Sequence, residues 1–159
     1  MNYRIEEKGK IRLVGVKKFI SPADVVPQKI IPEWWDEMPL GTYTELKRLS
    51  DSEPSGVVGL FADKHDRGFD YWFAASTTKA CPEHLETIEI PPSTWAIFEV
   101  IGPMPDAVQE TFRLIYAEWF PGSDYERIQI PEIEWFSDGD SKSEDFRCEV
   151  WVPVVRKKQ

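Results

Sequence analysis

Histidine and cysteine are nearly absent from this 159-residue chain, with two of each. Cys81 and Cys148 share no metal-ligand spacing, and His65 and His84 stand alone. A structural zinc or di-iron site has no ligand set, so no metal and no cofactor is expected. The start, MNYRIEEKGK, is charged and lacks the apolar segment of a secretory signal. A disulfide between the two cysteines is conceivable, but without a secretory signal they read as reduced thiols, and the expected location is cytoplasmic. No stretch approaches the ~20 apolar residues of a membrane span. There is no Gly-rich phosphate loop and no G-x-S-x-G, so nucleotide binding and serine-hydrolase chemistry lose their usual support. Basic residues are also in deficit: 19 Lys and Arg face 28 Asp and Glu, a net charge of −9. That balance disfavours direct binding of nucleic acid, and docking on anionic lipid equally.

What the chain has in abundance is aromatic surface: seven Trp, five Tyr and nine Phe. With 42% hydrophobic and 30% charged residues it can bury a core and stay soluble. The pattern from Tyr3 to Ile20 is strand-like, interrupted at Gly15. Asp24 to Leu49 reads as helix, capped by Asp24 and kinked or split by Pro32 and Pro39-Leu-Gly41, with Ile30, Ile31, Trp34 and Trp35 forming an apolar stripe. Gly56–Ala62 and Phe69–Thr77 form a hairpin across a polar, Gly-ended connector. The second half repeats the order. Leu85–Ile90 and Thr94–Ile101 are strands, and a helix opens at Pro103-Met-Pro105-Asp106. Val108, Phe112, Ile115 and Trp119 line one face of it before Pro121-Gly122 ends it. Ile128–Phe136, a polar loop and the strand Phe146–Val155 follow.

This order predicts an α+β fold: duplicated β-α-β-β units, about 3–80 and 84–155, in one domain spanning 1–159. Together they form a curved antiparallel sheet with helices on one face and a ligand cleft on the other. In the last strand Phe146, Cys148, Val150, Val152 and Val154 make a uniformly apolar face that packs on the helices. Arg147, Glu149, Trp151 and Pro153 make the opposite face. By the same phase Trp95 shares a face with Ile97 and Glu99, and Trp72 shares one with Asp70. Read blandly, such a face is solvated sheet surface. Read for chemistry, Glu149, Trp151, Trp72 and Trp95 frame a cleft with aromatic walls and one carboxylate. Tyr71 and Trp35 are further candidates for its wall. Aromatic faces attract flat cations by about 0.5–2 kcal/mol per contact. A desolvated carboxylate among them favours a cationic ligand, and it equally suits a general base acting on water. Trp119 and Phe112 read as core, and the acidic 138–145 loop as solvated surface.

The series GKIRLVGVKKFI (9–20), IPEWWDEM (31–38), FDYWFAAS (69–76), ETIEIPPSTWAIFEVIGPMPDAVQETFRLIYAEWFPGSDYE (86–126) and CEVWVPV (148–154) resembles the GyrI-like small-molecule-binding domain. That fold is shared with the effector-binding domains of AraC-type and MerR-type multidrug regulators. The resemblance implies a pseudo-two-fold cleft with a glutamate on the last strand, matched here by Glu149, meeting bulky hydrophobic and often cationic aromatic compounds. It implies three roles for stand-alone members: xenobiotic binding or sequestration, hydrolysis of cyclopropane-bearing genotoxins with Glu149 as general base, and inhibition of DNA gyrase or contact with a regulator. The sheet pattern begins at residue 3, which leaves no room for a helix-turn-helix ahead of it in this sequence.

Overall fold

Alternating apolar and polar residues build one nine-stranded antiparallel sheet in the computed structural model, which describes residues 1–158. The strands are β1 (Tyr3–Lys8), β2 (Ile11–Ile20), β3 (Val58–His65), β4 (Gly68–Ser76), β5 (Glu86–Ile90), β6 (Ser93–Ile101), β7 (Tyr125–Arg127), β8 (Glu132–Phe136) and β9 (Arg147–Arg156). Three helices, α1 (Pro27–Glu37), α2 (Leu40–Leu49) and α3 (Asp106–Leu114), complete the α+β fold. A π-helical turn over Ile115–Trp119 and a last turn over Phe120–Gly122 extend α3. None of the helices among the described residues is long and apolar enough to cross a membrane.

The strands lie in the order β1-β6-β9-β8-β3-β4-β2-β5, with β7 beside β9. This order reads alike from both edges when β1, β2, β3 and β4 are matched with β5, β6, β8 and β9. Each half lends its first strand to the other: β1 pairs with β6, and β5 with β2. The halves meet at β3 and β8 in the middle of the sheet.

Three local expectations are corrected. The strand pattern over 3–20 breaks at Gly9-Lys10, and its two parts run to distant places in the sheet. Gly15 does not interrupt β2; a Cβ there would lie 2.0 Å from the Phe73 carbonyl oxygen, so the close β2–β4 approach requires glycine. Asp24 does not cap α1, whose N-cap is Val26 with no side-chain bond. Pro32 sits inside α1 and removes the N–H that would bond Gln28. The freed Gln28 carbonyl instead accepts from Gln109 Nε2 of α3 at 2.7 Å.

The two sheet faces are buried differently. Val14, Ile20, Tyr71 and Phe73 pack under α1 and α2, while Phe98, Val100, Val150 and Val152 pack under α3 and its π-helical turn. The apolar phase of β9 thus meets the helices as the sequence predicts. On the opposite face no helix among the described residues covers the strands. Trp72, Trp95 and Trp151 are buried there with Leu13, Leu60, Ile97 and Ile133, residues from six strands packed on one another as the sheet curls. The Trp95 and Trp151 rings meet edge to face at 5.9 Å.

Candidate ligand-binding site

The helices approach the sheet from both sides of the β3–β8 junction and leave a space between them. The cavity measures about 960 Å³, bounded by α1, α2, α3, the sheet centre and the loop before β9. It lies on the helix-bearing face, not on the face opposite. A uniformly apolar strand phase marks where a helix sits on the sheet; it does not mark where the helix layer has a gap.

Trp35 of α1, Phe61 of β3, Phe112 of α3 and Phe136 of β8 give the cavity its walls. Trp35 stands edge-on to Phe73 at 4.7 Å and to Phe136 at 5.1 Å. Phe61 meets Phe112 at 5.4 Å and Tyr71 at 5.1 Å. These edge-to-face contacts fix the rings against one another. The loop expected as solvated surface closes one end. Lys47 of α2 donates to Asp138 at 3.0 Å, and Lys142 to the Met104 carbonyl at 3.0 Å.

β8 supplies the floor. Its sequence, EIEWF, puts Glu132, Glu134 and Phe136 on the helix side and Ile133 and Trp135 on the other. Glu134 is 5% exposed. Its Oε1 accepts from the Tyr71 hydroxyl at 2.6 Å, and Trp35 Nε1 donates to that hydroxyl at 2.8 Å. A Cβ on Gly59 would lie 2.1 Å from the Tyr71 hydroxyl oxygen and 2.9 Å from Glu134 Oε1, so this chain of bonds requires glycine on β3. Burial pushes the Glu134 carboxyl up to about 7; the nearby Glu132 adds to the rise and the Tyr71 bond opposes it. The same surroundings hold the Tyr71 phenol protonated, well above its ordinary range.

Of the residues singled out in the sequence, Trp35 lines this cavity and Tyr71 lies beneath its floor, fully buried. Trp72, Trp95 and Trp151 belong to the core of the other face. Glu149 is also on that face, in a separate depression of about 650 Å³. Its carboxylate accepts from Arg4 at 3.1 Å and from Trp151 Nε1 at 3.0 Å. The structure therefore does not bring Glu149 to the large cavity. Glu134, Glu132 and Phe61 escape a strand-phase reading of β9. The signal for the two acids was two glutamates alternating with Ile133 and Trp135 in so short a strand.

The sequence profile of the GyrI-like small-molecule-binding domain matches residues 1–155. No curated protein matches the chain significantly. Among solved structures, a putative bacterial transcription regulation protein from Staphylococcus aureus MU50 is similar, with 24% identity, a TM-score of 0.80 and coverage of 97% of this chain and 98% of that one. SAV2435 bound to tetraphenylphosphonium is similar at 24% identity and a TM-score of 0.85, covering 98% and 94%. The EcmrR C-terminal domain follows at 14% identity and a TM-score of 0.69, covering 98% of both chains. At these identities the likeness is one of fold.

Proposed function

Because the chain belongs to the GyrI-like small-molecule-binding domain family, we propose that its cavity binds bulky, hydrophobic, cationic aromatic compounds, with Glu134 as the counter-charge. The observation that carries this reading is the Glu134 carboxyl itself. It is nearly buried, surrounded by aromatic rings, and among the described residues held by one neutral hydroxyl with no cation bonded to it. Burying a carboxylate without a partner is costly, so a ligand that brings a positive charge restores what the fold withholds. The ring edges and faces of Trp35, Phe61 and Phe112 supply apolar and cation–π contact. A volume near 960 Å³ lies at the large end of small-molecule sites, which run to about 1,000 Å³. The tetraphenylphosphonium held by SAV2435 is a compound of this kind.

Hydrolysis with Glu149 as general base has no comparable support, since that carboxylate is 19% exposed, bonded to Arg4 and outside the cavity. Titration with tetraphenylphosphonium tests the reading. The protein is expected to bind with saturation, and Glu134→Gln to weaken binding by about tenfold or more, as loss of a desolvated charge partner should. Failure to saturate, or equal affinity of the variant, overturns the reading. Turnover of a cyclopropane-bearing compound, abolished in Glu134→Gln, would move the conclusion from binding to catalysis.

A further inference from the structure

If Glu134 is the counter-charge for a ligand, the second carboxylate of the floor needs an account. Glu132 and Glu134 are two residues apart on β8, on one face and about 7 Å apart along the strand. Glu132 is 1% exposed, yet its bonding is the reverse of its neighbour's. Lys64 Nζ of β3 donates to its Oε1 at 2.6 Å, and Arg127 Nη2 of β7 to the same oxygen at 3.2 Å. The Tyr116 hydroxyl donates to Oε2. Two fixed cations on one carboxylate leave this end of the floor with one excess positive charge.

The two cations are not equivalent. Arg127 is 11% exposed, does not line the cavity, and is further held by Gln129 Oε1 and the Ile130 carbonyl. Lys64 lines the cavity, is 38% exposed, and lies over the Phe61 ring at 5.9 Å. Its ammonium occupies the place that a second positive group of a ligand would take if the first were seated on Glu134.

Building on the reading of the cavity as a cation site, we propose that Lys64 sets its charge selectivity: as an internal counter-ion on Glu132, it admits lipophilic cations with one positive charge and rejects those with two. Repulsion at this end acts against the unwanted ligand, while contacts to the shared aromatic part stay the same.

Ethidium and propidium test this, because they share the phenanthridinium ring and propidium adds a quaternary ammonium on a short chain. The wild-type protein is expected to bind ethidium about tenfold or more tightly than propidium. Lys64→Met should raise propidium affinity until that gap narrows about tenfold, with ethidium affinity changed by less than about threefold. Lys64→Arg should keep the wild-type ratio, and Lys64→Gln repeats the neutral substitution with a polar side chain. Unfolding transitions confirm that each variant is folded. A wild-type protein without preference, or an unchanged ratio in both neutral variants, overturns the role of Lys64 and leaves the cation site standing. Absence of binding by both ethidium and tetraphenylphosphonium overturns the cation site, and the role of Lys64 with it.

Discussion

Glu134 sits where its proton equilibrium and the stability of the fold are linked. Its ordinary value near 4.5 is raised to about 7 by burial, so the folded state keeps the proton after the unfolded chain has released it. The contribution of this carboxyl to stability is then at its fullest below about 4.5, falls as pH rises from there to about 7, and is gone above. A shift of this size corresponds to roughly 3 kcal/mol at most. Urea unfolding at pH 5 and pH 8 is expected to show wild type losing stability relative to Glu134→Gln by up to this amount. A constant difference between the two proteins would exclude the buried carboxyl as the source. The same linkage predicts that affinity for a lipophilic cation increases from pH 6 to pH 8 and that binding releases a proton. Calorimetry in buffers of different ionisation enthalpy reads that proton directly.

At the scale of elements, α1 is the most lightly seated of the three helices around the cavity. It has no buried residue and no side-chain N-cap, and it contains Pro32. It is seated by Trp35, through the Tyr71 hydroxyl, and by the Gln109–Gln28 bond that answers the missing proline N–H. That bond spans from α1 to α3, and both glutamines line the cavity. Gln109→Ala should therefore loosen α1, with faster amide hydrogen exchange over residues 27–37 and little change in the sheet. Ligand is expected to slow exchange in the same segment; uniform exchange in variant and wild type would remove the clasp. The elements themselves were legible because their periods are strong: the hairpin of β3 and β4, the Pro39 break, and the stripe Val108, Phe112, Ile115. The site was less legible. Strand alternation shows that Glu149 and Trp151 share a face, but only tertiary packing decides whether that face is a cleft or the inside of a curled sheet. Of the aromatics that the sequence offers as wall candidates, Trp35 lines the large cavity and Tyr71 lies beneath its floor. The placement of Glu134 on the cavity side is not legible in the sequence, because β8 has only five residues, too few for its alternation to stand out.

For the whole molecule, the exchange of β1 and β5 between halves joins what a duplicated sequence would leave separable. The core of the uncovered face takes Leu13, Leu60 and Trp72 from the first half and Trp95, Ile97, Ile133 and Trp151 from the second. Each buried Trp removes about 150–250 Å² from water, worth up to about 4–6 kcal/mol at 25 cal/mol per Å². Neither half can keep that gain alone, so unfolding is expected to be a single transition with coincident far-ultraviolet circular dichroism and Trp fluorescence. The tryptophans then divide by role. Trp72, Trp95 and Trp151 report the state of the core, while Trp35 lines the cavity and reports its occupant. Quenching by tetraphenylphosphonium should be greatly reduced in Trp35→Phe, with the unfolding signal of the core tryptophans retained. Quenching that survives in Trp35→Phe but vanishes in Trp151→Phe would place the ligand on the other face, beside Glu149. Two separated unfolding transitions would mean that the shared tryptophan core does not bind the halves into one unit.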